Sequence, residues 1–468
     1  MAAENEHNVP ECVRNAIKAR GYEPDEVMQP TIADWWAWYT AKASWYDKTE
    51  TVDGHRFKVR RNTLHPARRV CREWASAILD DDGTKVATDV DAVTDLLEKW
   101  VAKTMFIPTA QRALERAFGV GTGALALWFD MQADGTCDVR ARRYDARTVL
   151  PLTWDDDGVT ECAFVTDAYV DGRKVHQLQI HSLSEETGTY HVETDLFDAK
   201  DGTPIYSEGI IEDFDAGADI PTFAILRPAL DNVHAEGTYM GQSVFADAID
   251  AIKGVDNAFD SMQREIDATK VKVFMSADLF DLQKDESGKA RPVPMSPENT
   301  VIMKLDTVAS ESMYEVFSPA IRTQALAEAL NVALAELGDL TGFGQNYFRF
   351  DKDGGIKTAK EVTSDNSAFS RNIRKHENEL RPQLEALLAC VLQCQRALNA
   401  WPVPQECATH VDFDDSIIQD TASEKAQMLA EVAAGVVPRW MYLERFYAMT
   451  EEEARELAGD PEAIDLGA

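Results

Sequence analysis

From Gly241 to Trp401 the apolar positions follow a helical rhythm three times, with a strand-like interval after the first. Phe245, Ile249, Ile252, Val255, Phe259, Met262 and Ile266 recur at steps of three and four, which places them on one face of an α-helix. Asp250, Lys253, Asp256, Asp260, Arg264 and Asp267 fall on the opposite face, which is expected to be wet and mostly acidic. VKVFM (271–275) and TVIMKL follow, rich in β-branched residues, and predict two strands around the polar arm KDESGKARPVPMSPEN. A second helix is expected to start with Ser318 as cap and Pro319 at its first position. Its stripe is Leu326, Leu330, Ala333, Leu334 and Leu337, with Gly338 as a stop. After the loop LTGFGQNYFRFDKDGGIK, Thr358 and Glu361 form a capping box for a third helix that runs to about Trp401. That helix would be about 60 Å long at 1.5 Å per residue, kinked at Pro382.

Upstream, residues 1–31 are polar apart from a short amphipathic piece around Cys12–Ala19. From Thr31 the chain is aromatic, and Trp35, Trp36, Trp38, Tyr39, Trp45 and Tyr46 would cover more than one helical face. Buried packing accounts for them, and so does a contact between subunits, since aromatics are enriched in interface cores. Arg56, Lys58, Arg60, Arg61, Arg68, Arg69 and Arg72 make one basic cluster; residues 56–61 alternate like a strand, and Pro66 starts a helix to about Leu79. The cluster suits phosphate groups or, preferably in so acidic a chain, paired carboxylates. Residues 90–118 form two helical pieces separated near Pro108. GVGTG (119–123) then caps the second piece and turns into the strand ALALWFD. A phosphate-cradling loop has the reverse order, strand before helix.

From Leu125 to about Ile225 short alternating strands are separated by Asp-Gly turns at 134–135, 157–158, 171–172 and 201–202, an antiparallel meander. Beyond Trp401, Pro402 and Pro404 break the long helix; ASEKAQMLAEVAAGVV and a short helix near Pro438 follow.

With 468 residues, 45% of them hydrophobic, the chain can bury a large core in two to four domains. Its 81 acids outnumber 47 bases, a net charge of −34, which speaks against a conventional nucleic-acid binder. Such acidity serves solubility, and it also suits a wall past which DNA must slide without sticking. Seven scattered cysteines show no disulfide spacing, as expected of synthesis in a reducing cytoplasm. Cys390 and Cys394 favour core packing over zinc, and His176, His181 and His191 favour strand surfaces over a metal. No leader and no run near 20 apolar residues is seen, so a soluble intracellular product is expected, with no membrane partner. DKDGG (351–355) resembles a calcium loop, but its glycine is displaced and position twelve is Val362. Asp155–Asp157 read as a turn, and Asp412, Asp414 and Asp415 follow a strand-like VDF piece. Gly288-Lys289 lacks a Walker context. No catalytic constellation, cofactor site or metal site is read.

The strings WWAWYTAKASWY, FIPTAQRALERAFGVGTGALALWFD, PTFAILRPALDN, MGQSVFADAIDAIKGVDNAFDS, TGFGQNYFRFDKDGGIKTAKEV and RNIRKHENEL resemble, in order, those of portal proteins of long-tailed bacteriophages. The resemblance runs from about Ile32 to about Leu398. It implies an α+β portal architecture of β-rich wing, two-helix stem, small α/β clip, long kinked spine helix and helical crown. The expected division is an N-terminal segment 1–31, wing 32–240, stem helices 241–268 and 318–340, clip 269–317, tunnel loop 341–355, spine 356–401 and crown 402–468.

The same resemblance implies a structural protein, not an enzyme. It would form a homo-oligomeric ring, twelve-fold in the virion, at one capsid vertex. Double-stranded DNA would pass through it, and it would bind terminase, head-completion or adaptor proteins, and capsid and scaffolding proteins. Its location would be the virion, and the host cytoplasm during assembly. On this mapping Gly342, Gly344, Asn346, Tyr347, Arg349, Lys352, Gly354 and Gly355 are tunnel-loop or DNA-facing candidates, with the glycines as hinges. Asp250, Lys253, Asp256, Asp260 and Arg264 are channel-lining candidates, and Lys284, Asp285, Glu286, Lys289 and Arg291 are clip candidates. Another ring-forming head–tail connector, or less readily a metal-dependent cytosolic enzyme, is the alternative.

Overall fold

A computed structural model of the chain describes residues 9–52, 55–81, 83–155, 158–207, 210–276, 301–304, 314–349, 359–413, 428–433, 435, 437–447 and 451–458. In chain order these build α1 (Glu11–Ala19), α2 (Gln29–Tyr39), β1 (Asp47–Val52), β2 (His55–Arg60), α3 (Pro66–Ile78), β3 (Lys85–Thr88), α4 (Asp91–Thr104) and α5 (Phe106–Val120). The strands β4 (Gly123–Met131), β5 (Cys137–Asp145), β6 (Val149–Trp154), β7 (Val159–Val170), β8 (Arg173–Leu183), β9 (Tyr190–Asp198), β10 (Pro204–Ile205), β11 (Asp213–Asp215) and β12 (Phe223–Leu226) follow. Next come α6 (Ile249–Ala268), β13 (Lys272–Ser276), β14 (Val301–Lys304), β15 (Tyr314–Phe317), α7 (Thr323–Leu340), α8 (Ala359–Asn399), β16 (Thr409–Asp412), α9 (Arg439–Tyr447) and α10 (Glu451–Ala458). The chain is thus a mixed helix-and-sheet protein, divided into two compact units. One comprises Met1–Met28, Arg72–Gln242 and Gly354–Ala468, the other Gln29–Cys71 and Ser243–Asp353.

The first unit holds the meander, folded as two sheets. β10-β9-β8-β7-β6, with β11 also on β9, form the larger; β12-β4-β5 form the smaller. Strand side chains alternate between faces, and both faces of the larger sheet are apolar. Leu150, Leu152, Ala163, Val165, Leu178, Ile180 and Phe197 pack beneath Val9 and, on α1, Val13 and Ile17. On the other face Val149, Cys162, Phe164 and Tyr190 meet Ala124, Ala126, Tyr144, Phe223 and Ile225 of the smaller sheet. Glycines at the turns adopt left-handed φ, as at Gly135 (84°) and Gly172 (76°), where a side chain would be strained. The helix α8 carries Pro382 within it and buries Leu380, Leu384, Leu387, Leu388 and Val391. Its partners include β12, β5 and β16, and β16 pairs antiparallel with β3.

In the second unit α6 and α7 pack together as an antiparallel pair. Arg322 at the start of α7 donates through its backbone N–H and Nε to Glu265 Oε1 near the end of α6, both at 3.0 Å. Between the helices lies a small sheet, β14-β13-β15, with β13 parallel to β14 and antiparallel to β15. Burial fades along α6 from Ile252 and Val255, both inaccessible, to Ile266, which is exposed.

Several boundaries differ from the sequence expectation. The first of the two paired helices, α6, begins only at Ile249, because the buried Val244 and Phe245 form a turn and Ala246–Ala248 a 3-10 turn. Ser318 and Pro319 do not open α7. The chain first leaves β15, and Arg322 occupies the cap position. The break between α4 and α5 falls at left-handed Met105 (φ 52°), while Pro108 sits harmlessly in the first turn of α5. The boundary at Cys71/Arg72 lies inside the stretch 32–240 that the sequence treats as one domain. The proposed cap Thr358 lies outside the described residues.

Gly338 does not stop its helix, which continues to Leu340. A Cβ there would stand 2.4 Å from the carbonyl oxygen of Gly344, and the amides of Phe343 and Gly344 donate to the Gly338 carbonyl at 2.9 and 3.0 Å. Alanine ordinarily improves a helix interior by ~1 kcal/mol over glycine. Here Gly338→Ala is expected to destabilise the protein by about 1–3 kcal/mol, because backbone must move. A denaturant titration showing a gain in stability would refute this contact.

Candidate functional site

The sequence-predicted acidic face of α6 divides in two. Asp256, Asp260 and Arg264 lie one turn apart in a stripe. Contrary to expectation, Asp256 and Asp260 are buried rather than wet, with 0% and 3% exposure. Asp256 Oδ2 accepts hydrogen bonds from the hydroxyls of Tyr46 and Thr63, both at 2.7 Å, and Oδ1 accepts from the Leu64 N–H at 2.8 Å. Asp260 Oδ1 accepts from the backbone and side-chain nitrogens of Asn62 at 3.0 and 3.1 Å, and Oδ2 accepts from Arg264 Nε at 2.8 Å. Arg264 Nη1 then reaches Glu50 on β1 at 2.7 Å. The stripe therefore clasps Tyr46–Leu64 of the same unit. Only Asp250 is fully accessible; it binds Lys253 at 2.8 Å, whose ammonium lies 5.6 Å from the Trp38 ring centroid.

Burial raises the Asp256 pKa above the ordinary carboxylate value, outweighing the Leu64 N–H and the Tyr46 and Thr63 hydroxyls. Asp145 in the first unit is the contrast. Burial also opposes its charge, but Arg147 and Arg116 outweigh it and hold the pKa down.

The aromatic stretch is mostly buried, with Trp35, Trp38, Tyr39 and Tyr46 inside and Trp45 half-buried. Of the basic cluster, Arg60 pairs with Asp47 at 3.4 Å, but the commoner use is stacking. Arg61 lies 4.2 Å over Trp45, Arg60 and Arg68 5.6 Å over Tyr46 and Tyr39, and Arg69 5.1 Å over Phe348. Arg56, Lys58 and Arg72 are exposed. That use was not read from the sequence, although the interleaving of arginines with aromatics was its signal.

The loop after α7 is described through Arg349. Gly342 (φ 84°) and Gly344 (φ 85°) take left-handed conformations in a tight turn, with Gly344 packed against Gly338. Phe343 and Phe348 are buried and, with Tyr347, form a cluster of rings 4.5–5.1 Å apart. Asn346, Tyr347 and Arg349 are exposed on this platform. Lys352, Gly354 and Gly355, and the clip candidates Lys284, Asp285, Glu286, Lys289 and Arg291, lie outside the described residues, as does DKDGG.

His176 and His191 are strand-surface residues bound to Asp167 and Asp213 at 2.6 and 2.8 Å. His181 is not: it is fully buried between Phe164 and Phe223. Its Nδ1 shares a 2.7 Å hydrogen bond with Thr222, and burial pushes its pKa down to about 3. The Cys390 and Cys394 sulfurs lie 3.9 Å apart in the core. Among the described residues no group of three or more His, Cys, Asp or Glu is placed to hold a metal. No helix among them is long and apolar enough to cross a membrane.

An antiparallel helix pair bracketing a small sheet, a packed turn and a proline-bearing 41-residue helix define a structural scaffold rather than a catalytic pocket. Residues 30–465 match the family described as "Phage portal protein, SPP1 Gp6-like", and the chain belongs to that family. Its members are structural proteins, not enzymes, with a portal or connector role in a ring at a capsid vertex. No curated protein sequence matches the chain. Among solved structures the chain is similar to one described as "Neck of native GTA particle computed with C12 symmetry", at 13% identity and TM-score 0.36, over 97% of this chain and 100% of that one.

Asp256→Ala would leave the buried Tyr46 hydroxyl unsatisfied, at about 1–3 kcal/mol, and strip a partner from the less buried Thr63 and Leu64 donors, so a loss of about 2–4 kcal/mol in chemical unfolding is expected. Asp256→Asn keeps the shape and is expected to cost far less. Because the folded pKa is raised, the wild-type carboxyl's contribution is fully present below the ordinary carboxylate value and is lost as pH rises through the folded value. Asp256→Asn should therefore compare progressively better with wild type as pH rises from acid towards neutral. A difference independent of pH would contradict this.

Proposed function

We propose that this chain forms the ring through which double-stranded DNA enters and leaves a phage capsid, twelve-fold in the virion, and on which terminase and later head-completion or adaptor proteins dock. Capsid and scaffolding proteins would be its neighbours during assembly in the host cytoplasm. The observation that carries this reading is the family match over residues 30–465. The paired α6 and α7 suit a tunnel stem, the sheet between them suits a clip, and α8 suits a spine.

On this reading the exposed Asn346, Tyr347 and Arg349 meet DNA, carried on the buried Phe343 and Phe348. Asp250 and Lys253 remain candidates for the channel wall, whereas Asp256 and Asp260 serve the subunit's own packing. A polar, acidic wall repels phosphate and so favours sliding over sticking. Lys352, Gly354 and Gly355 would extend the tunnel loop, and Lys284, Asp285, Glu286, Lys289 and Arg291 the docking surface. The alternative of a different head–tail connector fits the long α8 and the α6/α7 pair less well, and no described residue cluster favours an enzyme.

Native mass spectrometry and end-on imaging of the purified protein test the reading. A closed ring of about twelve subunits around an open channel is expected, at higher yield in moderate than in low salt, because screening shortens the repulsion between chains each carrying −34. A stable monomer or dimer at all salt concentrations, with and without scaffolding protein, would overturn it.

A further inference from the structure

In a chain where acids outnumber bases so strongly, most cations in the first unit are already used. Arg147 chelates Asp145 through Nε and Nη2, both at 2.8 Å, and Arg142 stacks on Trp128 at 3.3 Å. Arg140 binds Asp138 at 2.5 Å and Arg20 binds Glu193 at 2.9 Å. Others, such as Arg72, Lys99, Arg173 and Lys200, stand exposed with no ion pair among the described residues, and at one place such cations crowd together. On α5, Arg112 and Arg116 lie one turn apart, and α5 packs on β5. Arg116 Nη1 reaches Asp145 Oδ2 at 3.2 Å, and Arg143 precedes Asp145 by two residues on the same side of that strand.

The three guanidiniums therefore gather at one edge, and the acid among them, Asp145, is buried and already occupied by Arg147. Arg112 and Arg143 are exposed, and among the described residues neither has a carboxylate within ion-pair distance. Burial first, then the charges of Arg116 and Arg112, hold the Arg143 pKa below its ordinary value, with Asp145 and Glu115 only partly offsetting them.

We propose that the Arg112–Arg143 edge is a docking surface for carboxylates of a second copy of this chain, an electrostatic seam between neighbours in the ring. The inference rests on the ring reading above. A second copy is favoured over nucleic acid by charge. The net −34 of each chain repels DNA at range, while a neighbour held by other contacts presents acids at short range. The seam places attraction at one point of contact between two like-charged chains.

The test compares wild type, Arg112→Glu/Arg143→Glu and Arg112→Lys/Arg143→Lys by native mass spectrometry at low and moderate salt. Thermal melts and affinity for a short DNA duplex are measured alongside. Expected are a fall in ring yield of roughly fivefold or more for the reversal, larger at low salt, with near wild-type assembly for the lysine variant and unchanged melts. Ring formation by wild type with equal yield from the reversal variant would overturn the seam and leave the ring. Absence of rings from wild type would remove the ring reading and the seam with it. Loss of duplex affinity with ring yield intact would reassign the edge to nucleic acid and overturn the proposal. Should the reversal variant melt early, Arg143→Gln alone, at an exposed position, carries the same comparison; unchanged yield from it would overturn the seam.

Discussion

Much of the second unit follows from one buried charge. The Asp256 carboxylate is buried, and it is compensated chiefly by three hydrogen bonds, from Tyr46, Thr63 and Leu64. A charge taken from water without such partners is costly enough to be avoided or neutralised. Sliding Tyr46–Leu64 along α6 would break all three bonds at once, so the position of that segment is strongly specified. Asp260 and Arg264 repeat the arrangement one and two turns further on, ending at Glu50. This is why Gln29–Cys71 folds with Ser243–Asp353 despite the long separation in sequence.

The loop after α7 shows the same economy in apolar form. Two amides close on the Gly338 carbonyl, and the space left by a missing Cβ admits the backbone of Gly344. Two phenylalanines are then driven into the interior, and the polar residues between and beyond them are turned outwards. A group presented from so fixed a base loses little conformational freedom on meeting a partner. For residues 341–349 the structure shows a packed turn on which those polar residues are mounted.

Arginine has three separate uses in this chain. It neutralises buried carboxylates, as Arg147 does for Asp145; it stacks on aromatic rings, as Arg61 does on Trp45; and elsewhere, as at Arg112 and Arg143, it is left to solvent. A planar, always-charged guanidinium suits all three, and its fork can hold one carboxylate through two nitrogens where lysine offers a single point charge. Net charge alone conceals this distribution, and with it the difference between a repulsive surface and a locally attractive one.

Periodicity alone identified the α6 and α7 stripes, the long helix to Asn399, the meander with its Asp-Gly turns and the glycine cap after α5, because each depends on neighbours a few residues away. The family was legible too, from strings along most of the chain. What periodicity could not show is which polar residues a distant segment would cover. Asp256 and Asp260 sit on the polar side of their helix and look wet until residues nearly two hundred positions earlier fold over them. His181 reads as one strand histidine among three, and only the packing of two sheets face to face dries it. Gly338 reads as a terminator because local rules know nothing of Gly344 lying against it. Local pattern set the elements; burial by partners far along the chain, which desolvates some charges and spares others, decided what each polar residue does.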